Sequence, residues 1–101
     1  MAAKVIWSPS SLKDIASITE FIAADNLPAA LTVGHELVAV VERLSAFPGL
    51  GHAFREENKP DLHEFIWSHY RIIYHLAPDG KIITLLRIWH GARGRPEIPS
   101  P

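Results

Sequence analysis

The residues best suited to acting on an anion lie together in one run, Arg87-Ile88-Trp89-His90-Gly91-Ala92-Arg93-Gly94-Arg95. It leaves a β-prone segment, loosens at two glycines, and presents three guanidiniums and an imidazole. A guanidinium donates its N–H groups in parallel pairs, which suits a phosphate or a carboxylate. A histidine held beside such an arginine could take a proton from a substrate hydroxyl as general base. The same run also reads as a solvated basic end, or as arginines that meet a partner's acidic residues. Arg71 is a second candidate, inside the otherwise apolar Tyr70-Arg71-Ile72-Ile73-Tyr74. An arginine there requires a carboxylate partner, a solvent-open face or a function, and Glu64 on the neighbouring strand is the nearest carboxylate to supply the first.

Four histidines, His63, His69, His75 and His90, raise the question of a metal. A catalytic zinc needs three convergent ligands. His63 and His75 can face each other across two strands, but no fixed spacing supplies a third ligand, so no metal is expected. The chain has no cysteine, which removes thiol catalysis, disulfide frameworks and Cys-based metal sites. No phosphate-binding loop, zinc-protease pair or nucleophile elbow occurs, and no cofactor is expected. Trp7, Trp67 and Trp89 read as core or interface residues.

The elements that must position these groups follow from periodicity. Lys4-Val5-Ile6-Trp7 is a short β-prone segment. Ser8 is a good N-cap and Pro9 suits the first helical position, where its missing N–H costs nothing. Leu12, Ile15, Ile18 and Ile22 recur at helical spacing, with Lys13, Asp14 and Glu20 outside that stripe, so a helix is predicted from about Pro9 to Ala24. Asp25-Asn26-Leu27-Pro28 breaks and restarts the chain. A second helix then carries Ala30, Val33, Leu37, Val40, Val41 and Leu44 on one face, with Gly34 there to let the first helix approach. It ends before Pro48-Gly49. Beyond Gly51 the pattern turns β-branched and aromatic, in Leu62–Trp67, Tyr70–Leu76 and Lys81–Trp89.

Ala77-Pro78-Asp79-Gly80 is a strong turn signal and Ser68-His69 a weaker one. An antiparallel meander is expected, with the helical hairpin covering one face. The order is β-α-α-β-β-β in an α+β fold, one domain over residues 1–101. Alternation puts Tyr70, Ile72, Tyr74 and Leu76 on one face of the middle strand and Arg71, Ile73 and His75 on the other. A two-residue turn at Pro78-Asp79 pairs Tyr70 with Arg87, and one at Asp79-Gly80 pairs Ile72 with Arg87. Either register sends Arg87 to the tyrosine face and leaves Arg71 opposite.

With 101 residues, 48% hydrophobic and 21% charged, the composition is that of a globular domain and excludes disorder as the main state. The formal net charge of −1 argues against a whole-surface nucleic-acid binder. It is unevenly spread: residues 1–50 carry net −2 and residues 51–101 net +1. No apolar run reaches signal-peptide or membrane-spanning length, so a cytoplasmic protein without membrane contact is expected.

Taken together, these segments resemble the toxins of the ParE/RelE superfamily of bacterial type II toxin–antitoxin systems, over nearly the whole chain. The resemblance rests on Val5-Ile6-Trp7-Ser8-Pro9 before a helix with Leu12, Asp14, Ile15 and Ile22. It rests also on Asp25-Asn26-Leu27-Pro28-Ala29-Ala30 and on Leu44-Ser45-Ala46-Phe47-Pro48-Gly49-Leu50-Gly51. Most specific are Tyr70-Arg71-Ile72-Ile73-Tyr74 and Arg87-Ile88-Trp89-His90-Gly91-Ala92-Arg93. RelE-like members of the superfamily cleave mRNA in the ribosome, and ParE-like members bind DNA gyrase and block supercoiling. The resemblance maps Arg71 and Arg93 onto two arginines of the nuclease set. The nuclease lysines fall on Leu62-His63-Glu64, which holds none, and no tyrosine follows Tyr74. His52 and His63 stand where the family commonly has arginine.

The resemblance therefore implies a plasmid-stabilisation type toxin of the ParE branch, inhibiting gyrase and bound by a cognate antitoxin in a hetero-oligomer, with no catalytic set. Arg71, Arg87, His90 and Arg93 are then expected at the target or toxic surface, and Arg87, Arg93 and Arg95 at the antitoxin. The alternative is a RelE-like endoribonuclease acting on ribosome-bound mRNA, with Arg71 and Arg93 on phosphate and His90 as acid or base. A third reading is an inactive antitoxin-binding module.

Overall fold

The computed structural model describes residues 2–56 and 59–100. Its elements are β1 (Lys4–Trp7), α1 (Pro9–Ala23), α2 (Leu27–Ala46), β2 (His52–Ala53), β3 (Leu62–Trp67), β4 (Tyr70–Leu76) and β5 (Ile82–His90), with 3₁₀ turns at Pro48–Leu50 and Gly91–Arg93. The sheet runs β1-β5-β4-β3-β2. The β3-β4-β5 meander is present as expected. Two features go beyond it. β2, only two residues long, adds an antiparallel edge to β3, and β1 pairs parallel to β5 from Lys4↔Ile82 to Trp7↔Leu85. The parallel pair is possible because the intervening hairpin and meander supply the long crossover it needs. The result is an α+β fold with two helices on a mostly antiparallel sheet.

Both helix starts form as their residues dictate. Ser8 Oγ accepts from the Ser11 N–H and Asn26 Oδ1 from the Ala29 N–H, with a proline in the first turn each time. α2 buries Ala30, Leu37, Val40, Val41 and Leu44. A Cβ on Gly34 would meet Thr19 Cγ2 at 3.5 Å, an ordinary van der Waals contact, so Gly34 faces α1 as expected but the approach of the two helices does not require a glycine there. In α1 the inward face is rotated from the aliphatic stripe. Leu12 is 53% exposed, whereas Ser11 and Asp14 are buried. The polar pair goes in because its hydrogen-bonding is met there: Ser11 Oγ donates to the Ser8 carbonyl, and Asp14 is held by donors from β5.

The sheet has a core on each face. Toward the helices, Ile72, Tyr74, Ile83, Leu85 and Ile88 pack on Leu37, Val40, Val41 and Leu44. On the other face Phe54, Leu62, Ile73, Leu86 and Trp89 cluster, and Ile98 of the segment after β5 folds onto them. Near the turn the pairing is Leu76↔Ile83, His75↔Thr84 and Tyr74↔Leu85, the register that a turn at Asp79-Gly80 implies. A β-bulge then inserts Leu86. Past it Ile73 pairs with Arg87 and Arg71 with Trp89. One extra residue reverses the facing of everything after it. Arg87 is therefore on the Arg71 face, a correction to the register drawn from uninterrupted alternation.

His63 and His75 do not face each other. His63 pairs with Tyr74, and Leu62 pairs with His75, so the two imidazoles leave opposite faces. The His63 ring stacks on Tyr74 at 5.4 Å, and its Nδ1 is buried without a hydrogen-bond partner among the described residues. Burial lowers the His63 pKa below its ordinary value; His75 adds to this and Asp61 opposes it. The unfolded chain thus takes up this proton first as pH falls. The stability that His63 contributes is complete above about pH 6.5 and is lost as pH falls through its lower folded value. His63→Phe, which keeps a ring on Tyr74 but cannot titrate, is expected to flatten this part of the acid loss. Urea midpoints at pH 7.5 and pH 5 check it, and an unchanged difference between them refutes it.

Candidate functional site

Asp14 is the residue on which the end of β5 is hung. β1 stops at the Trp7↔Leu85 pair, so among the described residues the β5 edge beyond it has no strand neighbour, and α1 lies there instead. Asp14 Oδ2 accepts from the backbone N–H of Ile88 at 2.9 Å. Its two oxygens also take Nε and Nη2 of Arg87, both at 2.8 Å, in a bidentate pair. Arg87 Nη1 donates to the Glu97 carbonyl, tying the segment after β5 to the same post. The hydrogen bond to Asp14 raises the Arg87 pKa against the opposing effect of burial. Arg87 is thus a structural cation, bound inward.

Arg71 is also committed. Its Nε pairs with Glu64, the carboxylate expected from the neighbouring strand, and its Nη2 pairs with Glu56. Burial alone would lower its pKa, but the hydrogen bonds and charges of these two carboxylates outweigh that and raise it. Glu64 is buried and also bonds His52 Nε2 at 3.1 Å. Arg95 donates to the Glu56 backbone carbonyl. Arg93 is exposed and lies 3.9 Å over the Trp89 ring, which Arg87 also approaches at 4.7 Å.

The five expected site residues therefore separate. Arg71 and Arg95 converge on Glu56, on the face away from the helices. His90 and Arg93 border a groove of about 770 Å³ between α1 and the end of β5, and Arg87 forms part of its wall. Ile18 and Ile88 also line it, with Lys13, Tyr70 and the 82% exposed Phe21. Periodicity missed Lys13 and Phe21 because both fall outside the aliphatic stripe of α1. Asp14 falls outside that stripe too, and its inward place is set by the donors that β5 presents to it.

His90 sits in an aromatic corner, stacked with His69 at 6.0 Å and edge-on to Tyr70 at 5.5 Å. Its Nδ1 accepts from the Ala92 N–H at 3.1 Å. In the neutral ring the proton is then on Nε2, so the free tip of the imidazole is a donor. That geometry suits binding an acceptor better than removing a proton. Among the described residues no three His, Cys, Asp or Glu side chains gather in a metal-binding group, and no helix is long and apolar enough to cross a membrane.

The family model for the ParE toxin of the type II toxin–antitoxin system parDE matches residues 5–94. No curated protein matches the chain. Among solved structures, one of the chromosomal ParDE system from P. aeruginosa is similar with a TM-score of 0.71 and 20% identity, covering 88% of this chain and 96% of that one. A mutant of the E. coli toxin RelE in the free state gives a TM-score of 0.66 at 14% identity, covering 93% and 88%. The RelBE2 toxin–antitoxin complex from Mycobacterium tuberculosis gives 0.60 at 18% identity, covering 89% and 99%. At these identities the solved structures establish the shared fold.

Proposed function

The chain belongs to the ParE toxin family of type II toxin–antitoxin systems, and from that premise we propose that it inhibits DNA gyrase and is neutralised by a cognate antitoxin. The observation that carries this reading is the match of the ParE family model to residues 5–94. The site chemistry supports it. A nuclease of the RelE kind needs free cations at the scissile phosphate and a group that moves a proton. Arg71 is neutralised by two carboxylates and Arg87 by Asp14. His90 spends its unprotonated nitrogen on the Ala92 N–H.

An inhibitor needs only a shaped surface. The groove beside α1 offers one, with Phe21 and Ile18 as apolar contacts and Lys13 and Arg93 as cations at its border. An antitoxin segment with an apolar anchor and an adjacent carboxylate is complementary to it. Arg93, which is exposed, and the half-buried His90, rather than the Asp14-bound Arg87, are the residues available to a partner there.

The test is a supercoiling assay run beside a translation assay, both with purified toxin. The expected result is loss of gyrase supercoiling at saturating toxin, with ribosome-bound mRNA left intact. Full supercoiling together with cut mRNA overturns the proposal in favour of a RelE-like endoribonuclease. Full supercoiling with intact mRNA overturns it in favour of an inactive antitoxin-binding module.

A further inference from the structure

Glu56 is fastened over Arg71 from two directions. Its carboxylate pairs with Arg71 Nη2, and its backbone carbonyl accepts from Arg95 Nη2 of the segment after β5. Glu64 holds the same guanidinium from the buried side, through Nε. The two carboxylates differ in how firmly they are set. Glu64 belongs to β3 and its side chain is 7% exposed, whereas Glu56 lies outside the strands with its side chain 36% exposed. A pocket of about 330 Å³ opens here, lined by His52, Arg55, Glu56, Glu64 and Arg71.

We propose that Arg71 is an anion-binding site already filled by the chain's own Glu56, and that an acidic segment of a protein partner binds by displacing it. With Glu56 swung away, Arg71 and Arg55 face a single buried carboxylate, and Arg95 is released from the Glu56 carbonyl. The exchange replaces a carboxylate by a carboxylate, so the fork geometry of the guanidinium is preserved. A nucleic-acid strand is a poorer occupant. The Glu64 charge stays in the floor of the site, and the pocket offers no row of cations to match a row of phosphates. Because Glu56 is tethered, it competes at an effective concentration on the order of millimolar, so only an occupant with several contacts displaces it. Arg95 sets the closure: by holding the Glu56 backbone it lowers the open fraction and hence the apparent affinity of the site.

This goes beyond the toxin reading and relies on it only for the existence of a protein partner. The test therefore uses neither gyrase nor ribosomes. The Arg71 guanidinium resonances are followed by NMR in the wild-type chain, Glu56→Gln and Arg95→Met, while tetraglutamate peptide or a tetrauridylate RNA is added. Glu56→Gln is expected to bind the peptide at least tenfold more tightly than wild type, Arg95→Met to fall between, and the RNA to leave the signals unmoved. Equal peptide affinity in wild type and Glu56→Gln overturns the proposal, as does tighter binding of the RNA than of the peptide. An Arg95→Met affinity equal to wild type refutes the closure by Arg95.

Discussion

Asp14→Ala is expected to lower the free energy of unfolding by about 3–5 kcal/mol, the range for breaking a buried ion pair by removing one partner. Three donors lose their acceptor at once: Nε and Nη2 of Arg87 and the Ile88 N–H. The Arg87 side chain is only 14% exposed, so water reaches it poorly and its charge is left without its neutralising partner. For a small domain of ordinary stability this is a large fraction of the total. Asp14→Asn keeps one oxygen acceptor and is expected to lose less. Asp14→Ala combined with Arg87→Met removes the orphaned charge together with its cause, and is expected to recover part of the loss. Urea unfolding of the single and double variants measures all of this. A loss below about 1 kcal/mol for Asp14→Ala would mean that Asp14 is not the post that holds α1 against β5. Since α1 and the end of β5 are the two walls of the groove, the same variant is expected to weaken partner binding even where it remains folded.

The second large effect lies under the 3₁₀ turn that follows α2. Tyr74, fully buried on β4, donates its hydroxyl to the Pro48 carbonyl at 2.8 Å and accepts from the Gly51 N–H at 3.1 Å. A Cβ added at Gly51 would lie 2.3 Å from the Tyr74 hydroxyl and 2.9 Å from the Glu64 carbonyl oxygen. No real contact is that short, and the tyrosine has no room to withdraw. Gly51→Ala is therefore expected to cost about 2–4 kcal/mol, from overpacking and from the loss of these two hydrogen bonds. It should also loosen β2, which pairs with β3 directly after this glycine. Tyr74→Phe removes the nearest clashing atom. The two substitutions together are then expected to destabilise less than the sum of their separate effects, a coupling that a double-mutant cycle reads directly. Strict additivity would show that the hydroxyl does not set the requirement for glycine. Burial already raises the Tyr74 pKa, so its hydroxyl stays protonated as the donor this latch requires.

Local chemistry made much of the fold legible. The caps at Ser8 and Asn26, the prolines that follow them, the apolar face of α2 and the three strands of the meander each follow from neighbours within a few positions. The pairing of Arg71 with Glu64 was one of the readings that an arginine in an apolar strand allows, beside a solvent-open face or a functional role, and it is the one the fold takes. β2 left no such trace: two residues, one of them alanine, make no alternation, and only the exposed edge of β3 recruits them.

What the sequence by itself determined is the element order, most of the core and the identity of the cations. Propensity, capping and periodicity act over one or two turns, and those properties are local. What only the tertiary structure decided is which cations are free. Leu86 bulges out of the ladder and turns Arg87 to the other face. Asp14, outside the aliphatic stripe, goes inward because β5 presents three donors where β1 ends. Glu56 reaches Arg71 across fifteen positions, and Arg95 reaches Glu56 across thirty-nine. Charge pairing of this kind depends on distances set by the packed sheet, and electrostatic energy follows distance in space rather than separation along the chain. Of the run Arg87 to Arg95, the fold ties down the first and last arginines and leaves His90 and Arg93 at the groove.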